Sequence, residues 1–170
     1  MTVLVDRPRT AGVVRPLLRA PHSTLVTPSA PVDPRADETV RLAADLVATM
    51  RALPGCVGLA APQLGRAARI VVADVGRLVV LCNARIVAAG HWQPGREGCV
   101  SVPGLAGDVH RACRLVVAGE LPGTGEAVEL VTEDFPARVL QHQLDHCAGL
   151  LFLDRVRGAR AVRPMPARVA

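Results

Sequence analysis

The chain reads as a single α+β domain in which antiparallel β-strands pack around one central α-helix. Three observations predict this. Two segments carry apolar residues at helical spacing, several shorter runs are rich in β-branched residues and bounded by glycine or proline, and 170 residues suffice for one hydrophobic core but not two. Half of the residues are apolar, 21% are charged and only 2% are aromatic, so the core must be assembled mainly from Ala, Val and Leu.

In chain order, residues 1–34 contain six prolines and many small polar residues around the apolar patch "VVRPLL", which predicts an extended arm lying against the domain. Across residues 37–53, Val40, Ala43, Val47 and Met50 recur at helical spacing behind Asp37 as a cap, and Pro54 with Gly55 stops the helix. "RIVVADV" (69–75) and "RLVVLCNARIV" (77–87), joined by a turn at Gly76, predict two antiparallel strands. The segment 90–107, "GHWQPGREGCVSVPGLAG", is expected to be an irregular, functional loop because of its glycines and prolines. "CRLVVAGEL" (113–121) and "EAVELVT" (126–132) flank a "PGTG" turn and predict a hairpin. Asp134 should then cap a second helix, with Pro136 in its first turn and a stop at Gly149. Beyond Arg155 the chain is rich in Arg and Pro, and Pro164 and Pro166 argue against a long terminal helix.

The net charge of +5 is carried by scattered arginines with almost no aromatic surface for base stacking, which argues against specific nucleic-acid binding. It leaves room for loose association with ribosomal RNA. No apolar run approaches the roughly 20 residues of a membrane span. The N-terminus lacks the apolar block of a secretory signal, so a cytoplasmic protein with no membrane partner is expected. The five cysteines form no CxxC pair and should be reduced.

The chemistry starts in "VLQHQLDHCAG" (139–149), where His142 and His146 fall one turn apart on the same helical face and can both reach one metal ion. The pair alone is ambiguous. Cys99, in the glycine-rich "EGCVS", adds a thiolate, giving a three-ligand site with a fourth position open, and Gly98 beside it lets the backbone approach closely. In "VGLAAPQ" (57–63), Gly58, Ala60 and Ala61 leave space for a substrate backbone to run alongside as an added strand, and Gln63 offers an amide donor to a developing oxyanion. The competing reading of this stretch is a tight turn packed with small residues.

These three stretches together resemble the peptide deformylase family, metal hydrolases that remove the N-formyl group from nascent polypeptides. The family's GxGLAAxQ appears as "CVGLAAPQ" (56–63), its EGCxS is intact at 97–101, and its QHExDH appears as "QHQLDH" (141–146). The flanking "RPLLRAP", "SVPG" and "GLLFLDR" fit as well. The likeness covers residues 13–157 as one domain, leaving residues 1–12 as a flexible N-terminal arm and 158–170 as a Pro/Arg-rich tail. It implies Cys99, His142 and His146 as ligands of one divalent metal ion, Fe²⁺ natively, with Zn²⁺ or Ni²⁺ able to occupy the site. It further implies that the Gln63 side chain and the Val100 N–H stabilise an oxyanion. Cys56, Val57, Gly58 and Gly98 would line the site of an N-formylated peptide, and Glu97 with Arg111 would form a buried ion pair bracing the metal loop. The ribosome surface is the partner this substrate implies.

Two positions depart from the family. Cys56 replaces a glycine that lines the substrate pocket, which bears on side-chain selectivity. Gln143 replaces the glutamate that takes a proton from the attacking water and passes it to the leaving amine. An amide has no such basicity, and losing a general acid/base costs about 10²- to 10⁴-fold in rate. Asp145 is not expected to take over, because it lies on another flank of the helix. Three readings follow: a deformylase scaffold whose glutamate was changed to glutamine, which traps substrate; a divergent member acting slowly or on another N-acyl substrate; and a non-catalytic, metal-bearing peptide-binding protein. An HExxH metalloprotease fits poorly, since the Cys99 motif points elsewhere.

Overall fold

In the computed structural model, which describes residues 11–165, two α-helices flank a six-stranded antiparallel sheet. The elements are α1 (Asp37–Ala52), β1 (Gly58–Ala60), β2 (Ile70–Asp74), β3 (Leu78–Cys99), β4 (Val102–Glu120), β5 (Ala127–Glu133), α2 (Asp134–Cys147) and β6 (Val162–Pro164), with one short 3₁₀ turn before α1 and three between the later elements. The strands run in the order β1-β2-β3-β4-β5, and β6 pairs with β4. The expected α+β class and the antiparallel arrangement around a central helix are what the chain adopts.

The continuous apolar runs of β2 and early β3 follow from burial on both faces. Ile70, Val72, Val80 and Cys82 point toward Ala43, Leu46, Val47 and Met50 of α1. Their neighbours Val71, Ala73, Val79 and Leu81 point the other way, toward Ala137, Val139, Leu140 and Cys147 of α2. A strand sandwiched between two helices needs no polar face, so alternation is absent. The helix α2 is thereby fixed against the sheet along one side, while its opposite side faces the hairpin of β3 and β4. A third cluster, Leu25, Cys99, Val102, Val109, Leu151 and Phe152, closes that side.

The largest correction concerns residues 90–107, which are not an irregular loop. They form the tip of a long hairpin, in which β3 pairs with β4 from Cys82↔Glu120 to Cys99↔Val102. The sequence signal fails for a physical reason. Most of residues 85–96 are exposed, so no hydrophobic alternation is required of them. Pro94 is tolerated because this part of β3 pairs on one side only, leaving positions where a missing N–H breaks no ladder bond. Register shifts near Cys82, Ile86 and Gly98 further blur the period of two.

Smaller differences lie at the helix starts. The caps expected from Asp37 and Asp134 are displaced by one residue: Ala36 and Glu133 occupy the cap positions, without side-chain capping bonds. Asp37, Glu38 and Asp134 instead lie in the first turns, where their charge favours the helix dipole. At Asp134 the chain passes from β5 into α2 with no intervening loop, at a φ of 51°. Of the expected flexible arm, residues 1–10 lie outside the described residues. Gly12 lies against α1, so close that a Cβ would sit 2.0 Å from the Ala44 carbonyl oxygen. Residues 166–170 also lie outside the described residues, but the preceding part of the tail forms β6. No helix among the described residues is long and apolar enough to cross a membrane.

Leu140, 2% exposed, is a large α2 side chain buried in the cluster that joins α2 to β2, β4 and β5. Leu140→Ala should lower unfolding free energy by about 2–5 kcal/mol, read as a reduced urea midpoint with an unchanged m-value.

Candidate metal centre

Cys99 ends β3, and His142 and His146 lie one turn apart on α2. The fold brings one ligand atom from each to within 4.8 Å of the others. All three are buried, His146 completely. The Cys99 Sγ lies 3.2 Å from His146 Nε2. The two imidazoles are edge-on, with centroids 5.0 Å apart and planes at 73°. His142 Nδ1 lies 2.9 Å from a Glu97 carboxylate oxygen, so in the neutral tautomer Nδ1–H donates to Glu97 and Nε2 keeps its lone pair for a ligand role. A soft sulfur and two imidazole nitrogens, buried and convergent, fit a divalent transition metal.

The protons of these groups are tightly coupled. Burial alone would raise the Cys99 thiol, but hydrogen bonds to His142 and His146 overcome it and bring its pKa down to about 5. Burial would likewise lower His142, yet its contacts with Cys99 and Glu97 raise it to about 9. Glu97 is pushed up by burial but pulled down further by His142 and Arg111, to about 2. These contacts favour a thiolate at Cys99 beside a protonated His142, so a metal held by both would displace the His142 proton.

Glu97 and Arg111 do form a buried, two-pronged ion pair, at 2.8 and 3.0 Å. The sequence reading saw only part of this network. Arg111 also reaches Asp145 at 2.5 Å, Asp145 is held by Arg155 at 2.7 Å, and Arg138 donates to Glu97 Oε1 at 3.0 Å. Arg138 carried a signal that was passed over: it lies four positions before His142, on the ligand-bearing stripe of α2.

The remaining predicted residues gather around this centre. Gln63, 1% exposed, accepts a hydrogen bond at Oε1 from the Ala60 N–H at 3.0 Å. That contact turns its Nε2 toward the centre, 3.6 Å from Cys99 Sγ and 3.1 Å from Ser101 Oγ. Ser101, fully buried, was noted only as a motif letter, although its N–H also points at Cys99 Sγ, 3.4 Å away. Val100 is half-buried between these two. Val57 and Gly58 lead into β1, whose far edge has no strand partner among the described residues. A Cβ on Gly58 would stand 2.9 Å from Gln143 Nε2 and 3.0 Å from Val139 Cγ1, so this backbone comes too close to α2 for a side chain. The Cys56 thiol lies 3.3 Å from the Gly58 carbonyl and is raised by burial. Gly98, though exposed, faces Met165. Gln143 is 5% exposed, and its Oε1 has no hydrogen-bond partner among the described residues.

Comparison with known proteins agrees along most of the chain. The family described as polypeptide deformylase matches residues 14–161. A peptide deformylase of Symbiobacterium thermophilum is 39% identical over 150 residues, covering 86% of this chain and 68% of that protein. One from Acidothermus cellulolyticus is 42% identical over 144 residues, covering 84% of this chain and 79% of its own. Among solved structures, a peptide deformylase from Legionella pneumophila superposes with a TM-score of 0.82 at 33% identity, covering 88% of this chain and 89% of that one. The Thermotoga maritima protein gives 0.81 at 31%, covering 86% and 99%.

Two outcomes test the centre. Cys99→Ala should abolish stoichiometric metal, measured by elemental analysis of purified protein, and retention would remove Cys99 from the ligand set. Arg111→Met should leave Glu97 and Asp145 buried with one cation fewer and cost about 3–5 kcal/mol in chemical denaturation.

Proposed function

This chain belongs to the peptide deformylase family, and from that membership we infer that it binds N-formylated peptides at a mononuclear metal site and hydrolyses the formyl group slowly. Cys99, His142 and His146 hold the ion, Fe²⁺ natively, although the same donor set suits Zn²⁺ or Ni²⁺. Once bound, the ion supplies Lewis acidity, which polarises the formyl carbonyl and makes water more acidic. The protein's own groups do the rest. The free edge of β1 at Val57 and Gly58, together with Gly98, aligns the peptide backbone as an added strand. Cys56 narrows the side-chain pocket where the family has glycine. The Gln63 amide and the Val100 N–H donate to the oxyanion that develops on the formyl oxygen. A cytoplasmic setting and the ribosome surface go with this substrate, and the net charge of +5 supports loose electrostatic association with RNA.

Slow turnover rests on Gln143. It occupies the position of the proton-transferring glutamate, and its amide can hydrogen-bond water without accepting the proton. No spare carboxylate substitutes for it. The buried carboxylates among the described residues are Asp45, Glu97 and Asp145. Asp45 is held by Arg15, Glu97 by Arg111, Arg138 and His142, and Asp145 by Arg111 and Arg155. This commitment of every buried acid also favours a second reading, a metal-bearing peptide-binding protein that does not turn over. A divergent N-acyl hydrolase remains the third.

Formate release from a formyl-Met peptide separates them. In metal-loaded protein, Gln143→Glu should accelerate release by about 10²- to 10⁴-fold. Absence of release from both forms would defeat the deformylase reading, and tight peptide binding without turnover in both would establish the binding protein.

A further inference from the structure

We propose that Arg138 is a positioning residue for the metal centre, which holds the Cys99 strand at the distance the two histidines require. The inference rests on the metal-site reading above and extends it to a residue outside the three motifs. Arg138, His142 and His146 follow one another at intervals of four along α2, so the arginine prolongs the ligand stripe by one turn. Its guanidinium crosses to the hairpin and is largely buried there, with 14% of the side chain exposed. Nη1 donates to Glu97 Oε1 at 3.0 Å, to the Val109 carbonyl at 2.9 Å and to the Gly95 carbonyl at 3.3 Å. Nη2 donates to the Gln93 carbonyl at 3.1 Å. One side chain of the ligand helix thus grips both strands of the hairpin whose tip carries Cys99.

Arg111 cannot do this alone. It comes from β4, not from the helix, and its fork is divided between Glu97 and Asp145. Glu97 is the shared element. Its Oε1 receives Arg111 and Arg138, and its Oε2 receives Arg111 and His142 Nδ1. Arg138 therefore acts on His142 through Glu97, and on Cys99 through the strand two residues further on. The hairpin is shaped to admit it: a Cβ on Gly95 would stand 2.6 Å from the guanidinium carbon. That clearance provides an independent way to displace Arg138 without removing its charge.

The test uses Co²⁺ as probe, because the thiolate-to-cobalt band and the ligand-field bands report the Cys99 bond and the geometry directly. Full-length Arg138→Met and Gly95→Ala should each weaken Co²⁺ affinity by about tenfold to a hundredfold and alter the visible spectrum. Arg138→Lys should recover only part of the loss, because an ammonium cannot reproduce the planar fork. A lowered thermal midpoint with affinity and spectrum unchanged would show a plain structural brace and overturn the proposal. If Arg138→Met does not fold, the lysine and Gly95→Ala variants carry the same readouts. A parent protein that binds no Co²⁺ would also overturn it. Failure of Gln143→Glu to release formate sinks the deformylase reading but leaves the cobalt measurements untouched.

Discussion

The Glu97 carboxylate is the point on which the centre depends. It lies at the end of a largely exposed strand, yet is itself buried and saturated by four donors from β4 and α2. A buried carboxylate is costly unless every lone pair is engaged. The cheapest state of Glu97 is therefore the one in which β3, β4 and α2 stand in a single mutual arrangement. That arrangement also places Cys99 Sγ opposite two imidazoles. From Arg138 through Glu97, Arg111 and Asp145 to Arg155, charges alternate in sign, so each cation is flanked by carboxylates and each carboxylate by cations. The surplus of one positive charge in this row suits a neighbouring thiolate.

The apolar clusters do a different task. They fix the helix against the sheet to within a packing distance, but apolar contacts are not directional and tolerate small slips. Ligand geometry needs more than that. The split is visible on α2 itself, where Val139, Leu140 and Cys147 face the sheet while Arg138, His142 and His146 face the hairpin. One face supplies stability, and the other supplies register.

How far this was legible in sequence follows from the same division. Elements buried on both sides, such as β2, α1 and α2, betray themselves by apolar content and spacing, and all were foreseen with small shifts at their ends. The motif residues could be assembled because local spacing put His142 and His146 on one face. The outer hairpin was not legible: residues 85–96 are held by backbone pairing and by Arg138 at the Gln93 and Gly95 carbonyls, and bonds to backbone leave no mark on residue type when both faces meet water. Mistaking that strand for a loop hid the partner of Arg138, since its carbonyl acceptors at Gln93 and Gly95 belong to backbone that sequence does not reveal. Ser101 escaped for a related reason, because a buried serine and an exposed one are written alike.

Gln143 shows stability and chemistry pulling in opposite directions. A glutamate there would add a further buried carboxylate to a turn of α2 that already holds Asp145, close to a thiolate and, behind it, Glu97. The arginines of the row are already paired, Arg138 with Glu97, Arg155 with Asp145 and Arg111 with both, so such a charge would find no spare cation among them. The amide avoids that repulsion. It keeps nearly the same volume and leaves Nε2 against Gly58, where the close approach of β1 and α2 admits nothing larger than hydrogen on the glycine. Its cost is a single buried oxygen without a donor, of the order of 1–3 kcal/mol. On the deformylase reading, the amide spares the shape of the centre and removes the one property geometry cannot supply, a base able to hold a proton between attack and release.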